Sequence, residues 1–318
     1  MQFDFSNLLN GLSKLHTKIW DSHVHIWSAD AFEPLLKIGR KYGVHHFMGI
    51  AAPDVKKTLE EDGHDDLITF AYYLPIDAFA KHEPERILTA IEEAHSENYS
   101  MVKVWFGPRF LDFFEADKPF SLNLPIFDPA FTLIEDYHIP MDIHVADPDI
   151  WYITKYQDVE RYRSKEQALN EFREVMRNHL SLKLISVHFH SLPENLKQVT
   201  QDLYDFPNLY IDTASTKWMI RELGNNIERT KEFFEQHYKR ILFATDISVG
   251  WEDRDEKYLA TRYWAQRLFW ESNHQKIELP FPDEDNPNSP TYINGLNLSD
   301  KILEHFYWKN AEKFFNLS

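Results

Sequence analysis

The chain has 318 residues, enough to bury a large core in one domain, and its lack of cysteine excludes disulfide frameworks and thiolate metal sites. A formal net charge of -17 excludes attraction to nucleic acid or to an anionic membrane surface, so neither is expected as a partner. Residues 1–18 carry no secretory-signal pattern and no apolar run approaches bilayer length, so a soluble, cytoplasmic protein is expected.

Short apolar runs alternate with amphipathic segments along the whole chain, the pattern of parallel strands joined by crossover helices. The first predicted strand is 18–26, followed by a helix over 32–42. Strand 45–50 precedes a helix near 55–62, and strand 67–74 a helix over 84–98. Strand 101–106 leads through a connection rich in Phe and Pro to a helix over 129–137. Strand 139–145 is followed by an irregular segment rich in Trp and Tyr and a helix over 165–179. Strand 183–188 precedes a helix over 193–204, strand 208–213 a helix over 225–238, and the eighth strand is 240–246. Eight strands with eight helices predict an α/β fold, a (β/α)8 TIM barrel, rather than an open sheet.

Beyond it lie an aromatic helix at 256–270 and a non-helical insertion at 276–295 containing Pro280, Pro282, Pro287 and Pro290. A final helix starts at Ser299, with Asp300 supporting its N-terminus, and runs to about Phe315. The reading is one domain over 1–318, with the barrel at about 18–250 and a C-terminal helical cap at 251–318. The aromatic helix is broad enough in its apolar arc to pack on the barrel, to form a homo-oligomer interface or to act as a lid.

In such a barrel the chemistry sits at the C-terminal ends of the strands. In Lys18-Ile19-Trp20-Asp21-Ser22-His23-Val24-His25-Ile26-Trp27, strand alternation puts Asp21, His23 and His25 on one face. Two imidazoles about 7 Å apart along a strand can share one divalent ion. With 16 His, about one H-x-H arises by chance, and His188-Phe189-His190 is a second. Further polar groups at strand ends strengthen the reading: Lys103 on the fourth, His144 on the fifth, His188 on the sixth and Asp246 on the eighth.

Asp21-Ser22-His23-Val24-His25, the strands ending in His144 and His188, Arg240-Ile241-Leu242-Phe243-Ala244-Thr245-Asp246 and the closing Asn310-Ala311-Glu312-Lys313-Phe314-Phe315 resemble the amidohydrolase superfamily. Within it they are similar to the amidohydrolase-related branch that includes aminocarboxymuconate-semialdehyde decarboxylase and 2-pyrone-4,6-dicarboxylate lactonase. The resemblance implies one divalent metal, most often zinc, held by His23, His25, His144 and Asp246, with His188 beside its water. Manganese, cobalt or nickel would suit the same donors. A divalent ion brings the pKa of bound water to about 7. Asp246 would take that proton, and His188 would polarise the substrate carbonyl or protonate the leaving group.

Lys103 has three readings: an ammonium for a substrate carboxylate, a carbamylated bridge to a second metal as in binuclear members of the superfamily, or a structural ion pair with Asp142. Arg109 is either a bidentate anchor for a substrate carboxylate or a surface residue. Asp21 is expected to accept a hydrogen bond from a ligand imidazole or a backbone group. Asp212 could act likewise or serve a loop. His190 is expected to be a loop residue. Trp27, Trp105, Trp151, Tyr152 and Trp218 could line a pocket or simply pack, and the basic run 161–165 reads as a solvated loop. The expected function is a metal-dependent hydrolase that uses a metal-bound hydroxide on a small-molecule amide, ester or lactone. The alternatives are a metal-dependent non-oxidative decarboxylase of an aromatic or unsaturated carboxylic acid and a non-catalytic barrel that acts as a binding module.

Overall fold

A computed structural model describes residue 12 and residues 18–116 and 120–315; most of the N-terminal stretch that lacks a signal pattern lies outside the described residues. Among the described residues the main sheet has nine strands: β1 (Ile19–Ile26), β2 (Val44–Ala51), β3 (Ile68–Tyr73), β4 (Met101–Trp105), β5 (Met141–His144), β6 (Leu184–Ser186), β7 (Leu209–Asp212), β8 (Ile241–Leu242) and β9 (Ile247–Val249). Their order in the sheet is β8-β7-β6-β5-β4-β3-β2-β1-β9. This is the strand order of a (β/α)8 barrel, with β8 and β9 the two halves of one broken eighth strand. The chain divides into two compact units, residues 1–70 with 212–318, and residues 71–211.

In the first unit β1 pairs in parallel with β2 and with β9. The segment between β8 and β9 also touches β1, through Ser22 N–H to Phe243 O (2.9 Å) and Asp246 N–H to His23 O (3.0 Å). Between its halves Asp246 takes a φ of 58°, a left-handed conformation that a continuous strand cannot hold. Buried Trp20, Phe47, Tyr263, Trp270 and Tyr307 dominate the core of this unit. Helix Glu256–Glu271 opens with Asp255 accepting from Tyr258 N–H at 2.8 Å and buries Leu259, Tyr263 and all of residues 265–270. Among the readings for the aromatic helix, packing within its own unit is what is observed. The 276–295 insertion is non-helical as expected, but its ends form a short antiparallel pair, Ile277–Glu278 with Tyr292–Ile293. In the closing helical stretch Asn310 Nδ2 donates to Ile241 O at 2.7 Å, which ties the tail to the start of the eighth strand.

In the second unit β3 to β7 pair in parallel, neighbour to neighbour. These strands are buried throughout most of their length, as parallel strands covered on both faces must be. Helix Lys165–Asn178 starts at a capping box in which Ser164 and Gln167 satisfy each other's backbone N–H groups. Shorter helices stand beside the expected ones, among them Asp149–Thr154 and Val159–Tyr162 in the Trp- and Tyr-rich segment of this unit, and Thr216–Leu223 in the first. Among the described residues no helix is long and apolar enough to cross a membrane.

Candidate metal centre

In the first unit, His23 and His25 come from β1 and Asp246 from the break in the eighth strand. The Nε2 atoms of the two imidazoles are 3.3 Å apart, and Asp246 Oδ1 stands 3.5 Å from the first and 3.4 Å from the second. Behind this triangle, His23 Nδ1 lies 3.2 Å from Asp212 Oδ2, both groups being buried. An ionised carboxylate only accepts, so Nδ1 carries the hydrogen and the neutral ring turns its Nε2 lone pair into the triangle. Electron pairs converging on one point repel unless a cation sits among them. Four-coordinate zinc with bonds of about 2.0–2.1 Å sets its ligand atoms about 3.3–3.4 Å apart, so the donor set fits such an ion in both chemistry and spacing.

Asp21 lies under this triangle. Its carboxylate accepts from Thr245 N–H (3.0 Å), Thr245 Oγ1 (2.6 Å) and Tyr263 Oη (2.9 Å). Complete burial pushes its pKa up to about 7 against the pull of those hydrogen bonds. The backbone contact expected of Asp21 is there, and it fixes the residue next to Asp246. Asp212 holds the His23 imidazole in place. Trp27 stacks on His25 at 5.7 Å between centroids, donates Nε1–H to Ser248 Oγ and is 48% exposed, so it flanks the centre instead of entering the core.

The second unit holds the other two expected histidines. His188 Nε2 and His144 Nδ1 are 3.2 Å apart, and His144 Nε2 is 3.1 Å from Asp147 Oδ1. Asp147 also accepts from Tyr156 Oη at 2.8 Å. Burial alone would raise the carboxyl of Asp147, but the hydrogen bonds from His144 and Tyr156 outweigh it and hold its pKa below the ordinary value. As an anion it fixes the hydrogen of His144 on Nε2 and leaves the Nδ1 lone pair facing His188. Sequence reasoning missed both Asp147 and Tyr156. The signal was an acid three residues past a strand-end histidine.

The remaining candidates fall as follows. Lys103 is 2% exposed and donates to Asp142 Oδ1 at 3.0 Å, so the ion pair, not an ammonium held out for a substrate, is the contact observed. A carbamate on Lys103 would set one anion against another in a buried place, which argues against the bridged second metal. Arg109 is exposed, its guanidinium 5.7 Å from the Phe113 ring and 5.6 Å from the Trp151 ring. His190, expected in a loop past the strand, lies in the turn that follows β6 and is wholly buried. The chain turns left-handed directly after β6, so the strand ends at Ser186 and not at His188. Trp218 is core. The basic run is paired with acids, Arg163 with Glu171 and Lys165 with Asp149 and Glu194.

A family model described as amidohydrolase matches residues 78–317. No curated protein matches the chain. Among solved structures, a Staphylococcus aureus protein assigned as an amidohydrolase is 13% identical, with a TM-score of 0.56 over 94% of this chain and 99% of its own. The 5-carboxyvanillate decarboxylase of Sphingomonas paucimobilis is 10% identical, with a TM-score of 0.51 over 94% and 99%. That of Novosphingobium aromaticivorans, complexed with manganese and 4-hydroxy-3-methoxy-5-nitrobenzoic acid, is 10% identical, with a TM-score of 0.51 over 94% and 96%. At these identities the likeness is one of fold.

Proposed function

Because the chain belongs to the amidohydrolase family, we propose that it is a metal-dependent hydrolase of a small-molecule amide, ester or lactone, with its ion held by His23, His25 and Asp246. The observation that carries this reading is the triangle of donor atoms, with sides of 3.3, 3.4 and 3.5 Å, backed by the Asp212 carboxylate. When bound, the ion acts as a Lewis acid that brings the pKa of a coordinated water towards neutrality. Asp212 holds His23 in the tautomer that presents Nε2. Asp246 lies between the two imidazoles with its side chain 30% exposed, so its carboxylate is open to a proton arriving from the solvent side. On the family resemblance we add His144 as a fourth ligand and His188 as the group that polarises the substrate carbonyl or protonates the leaving group. Arg109, exposed, is the proposed contact for a substrate carboxylate.

Zinc is the proposed ion, because two imidazoles and a carboxylate at this spacing suit a four-coordinate site. Manganese is the rival, named by its presence in one decarboxylase of the same fold. The second functional reading, non-oxidative decarboxylation of an aromatic or unsaturated acid, draws on the two decarboxylases among the fold neighbours. Elemental analysis of protein purified without added metal, followed by product analysis on a panel of lactones, esters, amides and aromatic acids, tests all of this. Stoichiometric metal and release of the hydrolysed acid are expected. Carbon dioxide release without net water consumption would transfer the assignment to the decarboxylase. Replacing Asp246 by Asn should remove turnover while leaving the far-UV circular dichroism unchanged; retained turnover would remove Asp246 from the proposed role.

A further inference from the structure

After β6 the chain enters a left-handed turn made without glycine. His188, Phe189, His190 and Ser191 have φ of 56°, 58°, 58° and 54°. Each step of such a turn is disfavoured for an L-residue, because Cβ crowds the next carbonyl oxygen, and the conformation persists only where its surroundings over-determine it. The ring of His190, wholly buried, is held at both nitrogens. Nδ1 lies 2.8 Å from Ser186 Oγ on β6, and Nε2 lies 3.0 Å from Asp202 Oδ2 on helix Leu196–Asp205. Arg173, on helix Lys165–Asn178, grips that carboxylate at both oxygens, Nε to Oδ1 at 2.8 Å and Nη2 to Oδ2 at 2.7 Å, and Gln198 Nε2 adds a bond to Oδ1 at 3.2 Å. One imidazole thus ties a strand to two helices.

We propose that the chain Arg173, Asp202, His190, Ser186 is a positioning device for His188: it locks the left-handed turn that His188 opens and so fixes the His188 ring against His144. The bond between Ser186 and His190 is the reason. In a continuous strand these two residues would be about 13 Å apart, and alternation would put positions 186, 188 and 190 on one face. A 2.8 Å bond between them exists only when the chain coils back, and the coil sends the His190 ring to the helices while His188 Nε2 comes to 3.2 Å from His144 Nδ1. The functional weight of this device rests on the role proposed above for His188. The place of the His188 ring does not, and the test reads that place directly.

Two substitutions at one position separate positioning from mere stabilisation. His190→Ala removes the brace and leaves an L-residue at a φ of 58°, whereas His190→Gly removes the same brace and supplies a residue that adopts this φ without steric cost. In crystals of His190→Ala we expect residues 188–191 to leave the left-handed region and the His188 to His144 contact to break; in His190→Gly we expect both to be regained. Should His190→Ala not fold, Asp202→Asn, which keeps the side-chain volume, is read by diethyl pyrocarbonate labelling of His188 and mass spectrometry. Labelling should be severalfold faster than in the parent, since His188 is 4% exposed when held. A His190→Ala structure with turn and contact intact, or unchanged labelling in Asp202→Asn, overturns the proposal and leaves the network as a brace for the helices alone.

Discussion

Asp212 shows how one residue sets the chemistry of another. Its carboxylate decides which nitrogen of His23 carries hydrogen, and only one choice presents a lone pair beside His25 and Asp246. Replacing Asp212 by Ala should therefore lower divalent metal affinity by about 10–100-fold in chelator competition, the usual cost of losing such a partner. A fall no larger than that of a distant surface control would remove it from the centre. Lys103 and Asp142 form a buried pair whose members depend on each other. Lys103→Met should cost about 3–5 kcal/mol in urea unfolding by leaving Asp142 buried beside an uncharged side chain, and Lys103→Met with Asp142→Leu should recover most of it. The residue types at the centre were legible at strand ends in the sequence. The partner of Lys103 was legible only as one option among three, since the pairing is made between β4 and β5 and no spacing along the chain encodes it.

At the scale of elements, alternation and helical periodicity located β1 to β8, and the edges moved by a few residues; β9, the second half of the eighth strand, lies past the break that the pattern does not show. The two real departures, at 188–191 and at Asp246, share a cause. Both are built on non-glycine residues at positive φ, and nothing in residue type announces that when the strain is held by contacts from elsewhere in the fold. Each departure moves a candidate functional residue out of its strand. The short helices at 149–154 and 216–223, which occupy βα connections, were not expected; the first buries none of its residues, whereas the second buries Thr216, Trp218, Met219, Ile220 and Leu223. Asn310 belongs at this scale as well. It donates to the carbonyl of Ile241 and joins the last helix to the eighth strand, so Asn310→Ala should cost about 1–3 kcal/mol in thermal unfolding by leaving that buried acceptor without its donor.

For the whole molecule, two buried histidines give stability a dependence on pH below neutrality. Burial lowers both His46 and His237 to about 4 from the usual 6.5, with a nearby Arg240 adding to the effect at His237. Above pH 6.5 both are neutral in folded and unfolded chains, and their stabilising contribution is fully present. As the pH falls from 6.5 to 4 the unfolded chain binds protons that the folded one refuses at these two histidines, so their contribution falls through that window and is constant below it, while Asp21, raised to about 7 in the fold, acts in the opposite direction. The loss for the well-buried His237 is on the order of 3 kcal/mol. Urea titrations at pH 7.0, 5.5 and 4.5 should show it, and His237→Gln should flatten the curve. By itself the sequence determined the alternation of strands and helices, the barrel class and the identity of the three groups that converge in the first unit, because periodicity and position at a strand end are local properties. Only the tertiary structure decided which carboxylate orients which imidazole, that Lys103 is neutralised within the barrel wall and that His190 is buried. Those outcomes depend on side chains tens to hundreds of residues apart meeting at hydrogen-bond distance in a medium where an unpaired polar group is costly.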